Sequence, residues 1–277
     1  VAQHKISVTN GWIVCDGKLV VGNAIEVAWW RGNVHPNEAP SFGVALTRFV
    51  PGRMGPGFTD DLDDVADAMT ARGDVAIDQH YGLWYDRRRD DHERTRRIDG
   101  GVLPPFFEQP FARSGQGTAW DGLSKYDLTR FNPWYWSRLN QFADICDERG
   151  LILFNQNFFQ HNIIEAGAHW VDCPWRTANN INATGFPEPP PFAGDKRIFM
   201  AEQFYDVTNP TRRELLRGFI RQNLNNFTNN ANVIQFTSDE FTGPLHFMQF
   251  WLDTIAEWER DAGSRRPEVL NAGLSGI

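Results

Sequence analysis

The sequence predicts an α/β fold built on a parallel sheet. Short apolar runs recur along the chain, and amphipathic stretches with clear helix-start signals separate them. Links from helix to following strand are tight, whereas links from strand to following helix are long.

The first strand is expected at Ala24 to Ala28, followed by a helix from Asp60 to about Arg72 that ends at Gly73. Val75-Ala76-Ile77-Asp78 forms the second strand. Asn132-Pro133 then opens a helix with Trp136, Leu139, Phe142, Ala143 and Cys146 at three- and four-residue spacing, closed at Arg149-Gly150. Leu151 to Phe154 is the third strand; Asn209-Pro210 opens the next helix, with Leu215, Phe219 and Ile220 on one face. Val233 to Phe236 is the fourth strand, and Gly243-Pro244 opens a helix with Met248, Leu252, Ile255 and Glu259 along its period. The segment from Pro267 to Gly273 reads as the start of a fifth strand.

The expanded loops, 81–131 and 156–208, both follow strands, which is where a (β/α)₈ TIM barrel builds its site. A doubly wound sheet is the alternative, but no GxGxxG follows any strand. A barrel without insertions takes about 250 residues, yet here 277 residues cover strands 1–4 and the start of strand 5. Residues 1–277 are therefore expected to be the N-terminal part of one catalytic barrel domain, with 1–22 as a lead-in. A second chain or a C-terminal segment is expected to complete it. Val1 stands where an initiator Met would, so the polypeptide is expected to begin downstream of its own start.

Composition narrows the function classes. Hydrophobic residues at 41% and charged residues at 22% exclude a disordered tail. No apolar run approaches the roughly 20 residues of a membrane-spanning helix, so no membrane partner is expected. The net charge of −8 argues against nucleic acid. Cys15, Cys146 and Cys173 form no CxxC pair and no disulfide framework. The 11 Trp and 21 Phe are either core or flat platforms for a ligand. A secreted or periplasmic location is favoured over a cytoplasmic one.

The sharpest chemical signal is Phe236-Thr237-Ser238-Asp239-Glu240-Phe241-Thr242-Gly243-Pro244, two carboxylates where the fourth strand gives way to its loop. A carboxyl there, beside aromatic surface, would have its pKa raised by desolvation and could donate a proton near neutrality. The competing reading is a pair of ordinary acidic residues favoured by a helix dipole. At the end of the second strand, His80 and Tyr81 could hydrogen-bond a sugar and Trp84 could stack on it; the following run Arg87 to Arg94 reads as a self-paired surface network. After the third strand, Asn157 and His161 could meet hydroxyls without charge, or simply order their own loop. Trp170, Trp175 and Arg176 add candidate platforms and substrate contacts. His80, His161 and Asp78 could instead converge on a metal, as in metal-dependent amidohydrolases. No HxH or HExxH occurs, so neither a metal nor a cofactor is expected.

An apolar fourth strand ending in Asn-Glu marks the clan of retaining glycoside hydrolases with (β/α)₈ barrels, and the sequence resembles that clan from about residue 20 onward. The stretch Asn132-Pro133-Trp134-Tyr135-Trp136 through Arg149-Gly150-Leu151 also resembles uncharacterised bacterial glycoside hydrolases. The resemblance implies that Glu240 is the general acid/base, that Asp239 stands where the clan has its sugar-holding Asn, and that the nucleophile, on the seventh strand, lies beyond residue 277. A carbohydrate would be the substrate, in a poly- or oligosaccharide. A metal-dependent barrel hydrolase and a non-catalytic carbohydrate-binding protein are the alternatives.

Overall fold

The computed structural model describes residues 4–26, 62–80, 109–120, 122–158, 160, 163, 170, 173–188, 196–238, 241 and 243–263. The chain opens with three short antiparallel strands, β1 (Ile6–Thr9), β2 (Trp12–Cys15) and β3 (Lys18–Leu19). The expected lead-in is thus a folded sheet. Its turns are Asn10-Gly11 and Asp16-Gly17, all four residues at positive φ between paired strand ends, as two-residue hairpins require.

There follow β4 (Asn23–Glu26), α1 (Leu62–Arg72) and β5 (Asp74–His80). A hairpin of β6 (Phe111–Arg113) and β7 (Tyr126–Phe131) occupies part of the stretch expected as loop. Then come α2 (Pro133–Glu148) and β8 (Ile152–Gln156). A further helix, α3 (Lys196–Phe204), lies in the second long stretch, ahead of α4 (Pro210–Asn226). The chain ends its described part with β9 (Val233–Phe236) and α5 (Leu245–Ala262).

Strands β4, β5, β8 and β9 form one parallel sheet whose spatial order is their order in the chain. Residues from α1, α2, α4 and α5 share a single core with Ile77, Leu153 and Val233. The alternate residues Ala76, Ile152 and Ile234 point the other way and pack with Ile6 of β1. A doubly wound sheet reverses its strand order and carries helices on both faces. Sequential order with every helix on one face is the winding of a (β/α)₈ barrel, of which this chain holds strands 1–4. Residues 267–273, expected to start a fifth strand, lie outside the described residues.

The capping signals act as the sequence implies at two helices. Asn132 accepts from Trp134 N at 3.1 Å and Asn209 from Arg212 N at 3.1 Å, each with Pro at the first turn. At α5, Pro244 is itself the cap residue and makes no side-chain cap bond. The buried stripe of α5 also differs from expectation: Leu252 is 40% exposed, and Phe247, Met248, Trp251, Thr254, Ile255 and Trp258 face inward. Met248 and Ile255 are buried as expected, and the inward face is centred toward Phe247, Trp251 and Trp258, whose rings remove more apolar area from water than Leu252 would.

Between sheet and helices lies a row of buried amides. Gln79, Asn155 and Gln235 stand in register on three adjacent strands. Gln79 donates to Asn155, whose own Nδ2 donates to Gln235 Oε1 at 2.8 Å and to Asn223 Oδ1 at 2.9 Å. Replacing Asn155 by Ala takes the bonding partner from Gln79 Nε2 and Asn223 Oδ1 in an apolar layer, while Gln235 Oε1 keeps its bond from Asn157 Nδ2, so Asn155→Ala is expected to lower stability by about 1–3 kcal/mol. Urea unfolding measures it, and an unchanged midpoint would refute the account.

Asp127 of β7 accepts from Thr129 N (3.0 Å), Thr129 Oγ1 (2.7 Å) and Asn182 Nδ2 (3.1 Å). Burial alone would raise its pKa; the hydrogen bonds from Thr129 and Asn182 outweigh it, and the carboxyl titrates below its ordinary value. A depressed folded-state pKa contributes stability that is present above the unfolded value, about 3.9, and is lost as pH falls through the folded one. The stability gap between wild type and Asp127→Asn should therefore be open at neutral pH and narrow below about pH 4. Denaturant midpoints across that range test this; a pH-independent gap would contradict it.

Candidate active site

Side chains alternate across a strand, so the face turned away from the helices receives Ala76 and Asp78 from β5, Ile152, Phe154 and Gln156 from β8, and Ile234 and Phe236 from β9. Near the amino ends this face is apolar and covered by Ile6. Toward the carboxyl ends it turns polar and aromatic. There Gln156 Nε2 donates to Asp78 Oδ1 at 2.9 Å, and the rings of Phe154 and Phe236 meet edge-on with centroids 5.1 Å apart. Gln156 is buried and Asp78 half-buried. In the backbone register His80 stands beside Gln156, and Glu26 beside Asp78.

The exit of the fourth strand is held on both sides. Pairing continues past β9, with Asn157 N donating to Phe236 O (2.8 Å) and Phe158 N to Thr237 O (2.9 Å). Ser238 is buried and its Oγ accepts from Gln160 N at 3.0 Å. Gln160 Oε1 in turn accepts from Tyr205 OH at 3.4 Å; burial pushes that phenol far above its usual pKa and keeps it a donor. On the far side Phe241 packs on Tyr205 and Phe247, at centroid distances of 5.3 and 6.3 Å. Asp239 and Glu240 lie between these anchors in sequence and outside the described residues, as do Tyr81, Trp84 and His161.

Five candidate residues fall within the described part; His80 is placed by its backbone register alone, and none of the other four faces the strand-end interior as a free group. Asn157 is wholly buried on the helix side, where its Nδ2 donates to Gln235 Oε1 and its Oδ1 accepts from Trp251 Nε1, both at 2.8 Å. The strand alternation explains the correction: β8 runs to Gln156, so Gln156 faces inward and Asn157 outward. Trp170 and Trp175 are core rings rather than open platforms. Trp170 meets Phe186 edge-on, and Trp175 is enclosed by Phe111, Phe204 and Phe219. Arg176 binds Glu188 within its own loop at 2.8 Å.

The inward amide Gln156 and its partner Asp78 are the site residues that the polar clustering of the sequence does not separate from their neighbours. Counting by twos from the apolar start of each strand is the signal that finds them. Among the described residues, no group of three His, Cys, Asp or Glu donors gathers at these strand ends.

Solved structures with a similar fold are glycoside hydrolases. A glycoside hydrolase family 5 mannosidase from Rhizomucor miehei matches with a TM-score of 0.52 at 12% identity, over 99% of this chain and 56% of that one. A mutant of that enzyme in complex with mannosyl-fructose matches with a TM-score of 0.50 at 13% identity, over 98% and 55%. Endo-glycoceramidase II from Rhodococcus sp. gives 0.44 at 13% identity, over 96% and 50%. At such identities the likeness is one of fold, and the chain spans about half the length of the structures it matches. No curated protein matches it. The match to the family described as a domain of unknown function, DUF6298, runs over residues 1–273, and the chain belongs to that family.

Proposed function

We propose that this chain carries the acid/base half of a glycoside hydrolase acting on a poly- or oligosaccharide. The observation that carries the reading is positional: the dipeptide Asp239-Glu240 follows directly on the fourth of four parallel strands wound in barrel order. Barrel enzymes place their chemistry at that end of the strands. The fold likeness to a family 5 mannosidase supports the same reading.

In this reading Glu240 gives its proton to the glycosidic oxygen, so the leaving sugar departs as a neutral alcohol. A second carboxylate, from outside this chain's four strands, attacks the anomeric carbon and forms a glycosyl ester. Glu240, now ionised, takes a proton from the water that cleaves the ester, and the configuration is retained. Asp239 and His80, with Tyr81 and His161, position the sugar, and Trp84 stacks on it. Asp78 and Gln156 form the polar floor below them.

Glu240→Gln removes the transferable proton while keeping the shape. It should cut kcat on aryl glycosides and oligosaccharides by about 10²–10⁴-fold with the circular dichroism spectrum unchanged. Turnover close to wild type would end the proposal, as would activity lost to a strong chelator at unchanged unfolding temperature and restored by a divalent ion. Trp175→Ala, by contrast, should lower stability by about 3–5 kcal/mol and leave KM of the folded enzyme unaltered. A raised KM at unchanged stability would return Trp175 to the sugar.

A further inference from the structure

At the opposite end of the sheet, three donors of different chemistry come together on the N-terminal hairpins. A ring nitrogen of His4, Cys15 Sγ and a carboxylate oxygen of Asp16 all lie within 4.8 Å of one another. We propose that His4, Cys15 and Asp16 form a transition-metal site, selective for Zn(II) among the abundant divalent ions, that ties the N-terminal sheet to the floor of the barrel.

The hairpin preorganises the donors. Ile6 pairs with Cys15, which brings residue 4 alongside residues 15 and 16. Asp16 is held twice by Lys5: its backbone N donates to Lys5 O at 2.9 Å, and its Oδ1 accepts from Lys5 N at 2.8 Å. That leaves Oδ2, which sits 2.7 Å from His4 Nδ1. Cys15 is half-buried against the apolar cluster of Ile6, Ala76, Ile152 and Ile234, so its thiol is confined from one side.

A tetrahedral Zn(II) with one sulfur, one nitrogen and one oxygen ligand needs donor separations of about 3.4–3.6 Å. The His4–Asp16 contact must therefore open by roughly 0.8 Å, within the reach of two partly exposed side chains. Water fills the fourth position. The mixed S, N, O set disfavours Ca(II) and Mg(II), which take oxygen ligands. Binding expels the thiol proton and moves the imidazole proton to Nε2, so one proton is released per metal when His4 is neutral.

The floor is reached through His4. Its backbone N donates to Asp147 Oδ1 of α2 at 3.2 Å, and its ring lies over Gly150, where a Cβ would stand 3.7 Å from Nε2. Metal binding would thus fix the hairpins against the α2–β8 turn, and this role is independent of any glycosidase activity.

The test titrates the untagged, metal-free, reduced chain with ZnCl₂ and CoCl₂. One metal per chain is expected, with a thiolate-to-Co(II) charge-transfer band, a raised unfolding temperature in excess Zn(II), and affinity that falls as pH drops. Cys15→Ser should abolish the band. His4→Ala, which keeps the thiol, should weaken binding at least about tenfold. Absence of the band in the wild type, or stoichiometry and affinity unaltered in both variants, would overturn the proposal. His4→Ala keeps the question open to measurement should Cys15→Ser fail to fold.

Discussion

The arrangement rests on a register lock. Gln79, Asn155 and Gln235 occupy the same level on β5, β8 and β9 and bond one another between sheet and helices. A buried amide without a partner costs several kcal/mol, and the bonds Gln79 Nε2 to Asn155 Oδ1 and Asn155 Nδ2 to Gln235 Oε1 form in this strand alignment. A slip by one residue would also turn every inward side chain outward. Because strands alternate, fixing the outward row fixes the inward one: Asp78 and Gln156 meet inside because Gln79 and Asn155 meet outside. Buried amides on the helix side thereby set the geometry of the opposite face.

Much of this was readable in advance. All four parallel strands, their order and their crossover helices follow from apolar runs and cap pairs such as Asn132-Pro133 and Asn209-Pro210. The misreadings have separate physical causes. Asn157 was taken with its neighbours as one polar cluster, whereas β8 extends two residues past Phe154 and the face of each residue is decided by parity. The three N-terminal strands have no crossover helix between them, so the strand–helix alternation that marks the equally short β4 and β9 is missing there. The paired turn residues Asn10-Gly11 and Asp16-Gly17 announce that sheet instead. On α5 Met248 and Ile255 are buried as their spacing implies, but the face turns toward Phe247, Trp251 and Trp258 and leaves Leu252 exposed.

The aromatic abundance also has a structural answer. Phe219 of α4 lies at the centre of a ring cluster, with Phe111 at 5.1 Å, Phe158 at 5.6 Å, Trp175 at 5.9 Å and Trp136 at 6.1 Å. Phe111 and Trp175 come from the long stretches that follow β5 and β8. Those stretches therefore spend part of their length as an outer layer packed on the helices. Arg212 fastens them further: its guanidinium donates to Thr184 O, Gly185 O and Gln203 O at 2.7, 2.6 and 3.2 Å and lies over the Phe186 ring. Loop length in this chain reflects packing as well as function.

The same economy bears on the acidic dipeptide. A proton donor must keep a steady position relative to its substrate, because a misplacement of about 1 Å can cost two orders of magnitude in rate. Here the segment after β9 is gripped before the dipeptide by Ser238, through Gln160, and after it by Phe241, through Tyr205 and Phe247. Tyr205 belongs to both grips, since its hydroxyl bonds Gln160 while its ring meets Phe241. Gly243 completes the clasp, because a Cβ there would collide with the rings of Phe241 and Tyr205. One buried tyrosine thus couples the two ends of the four-residue span that contains Glu240. The helix-side core and the described residues on either side of the dipeptide, Ser238 and Phe241, are, through Tyr205, a single packing problem.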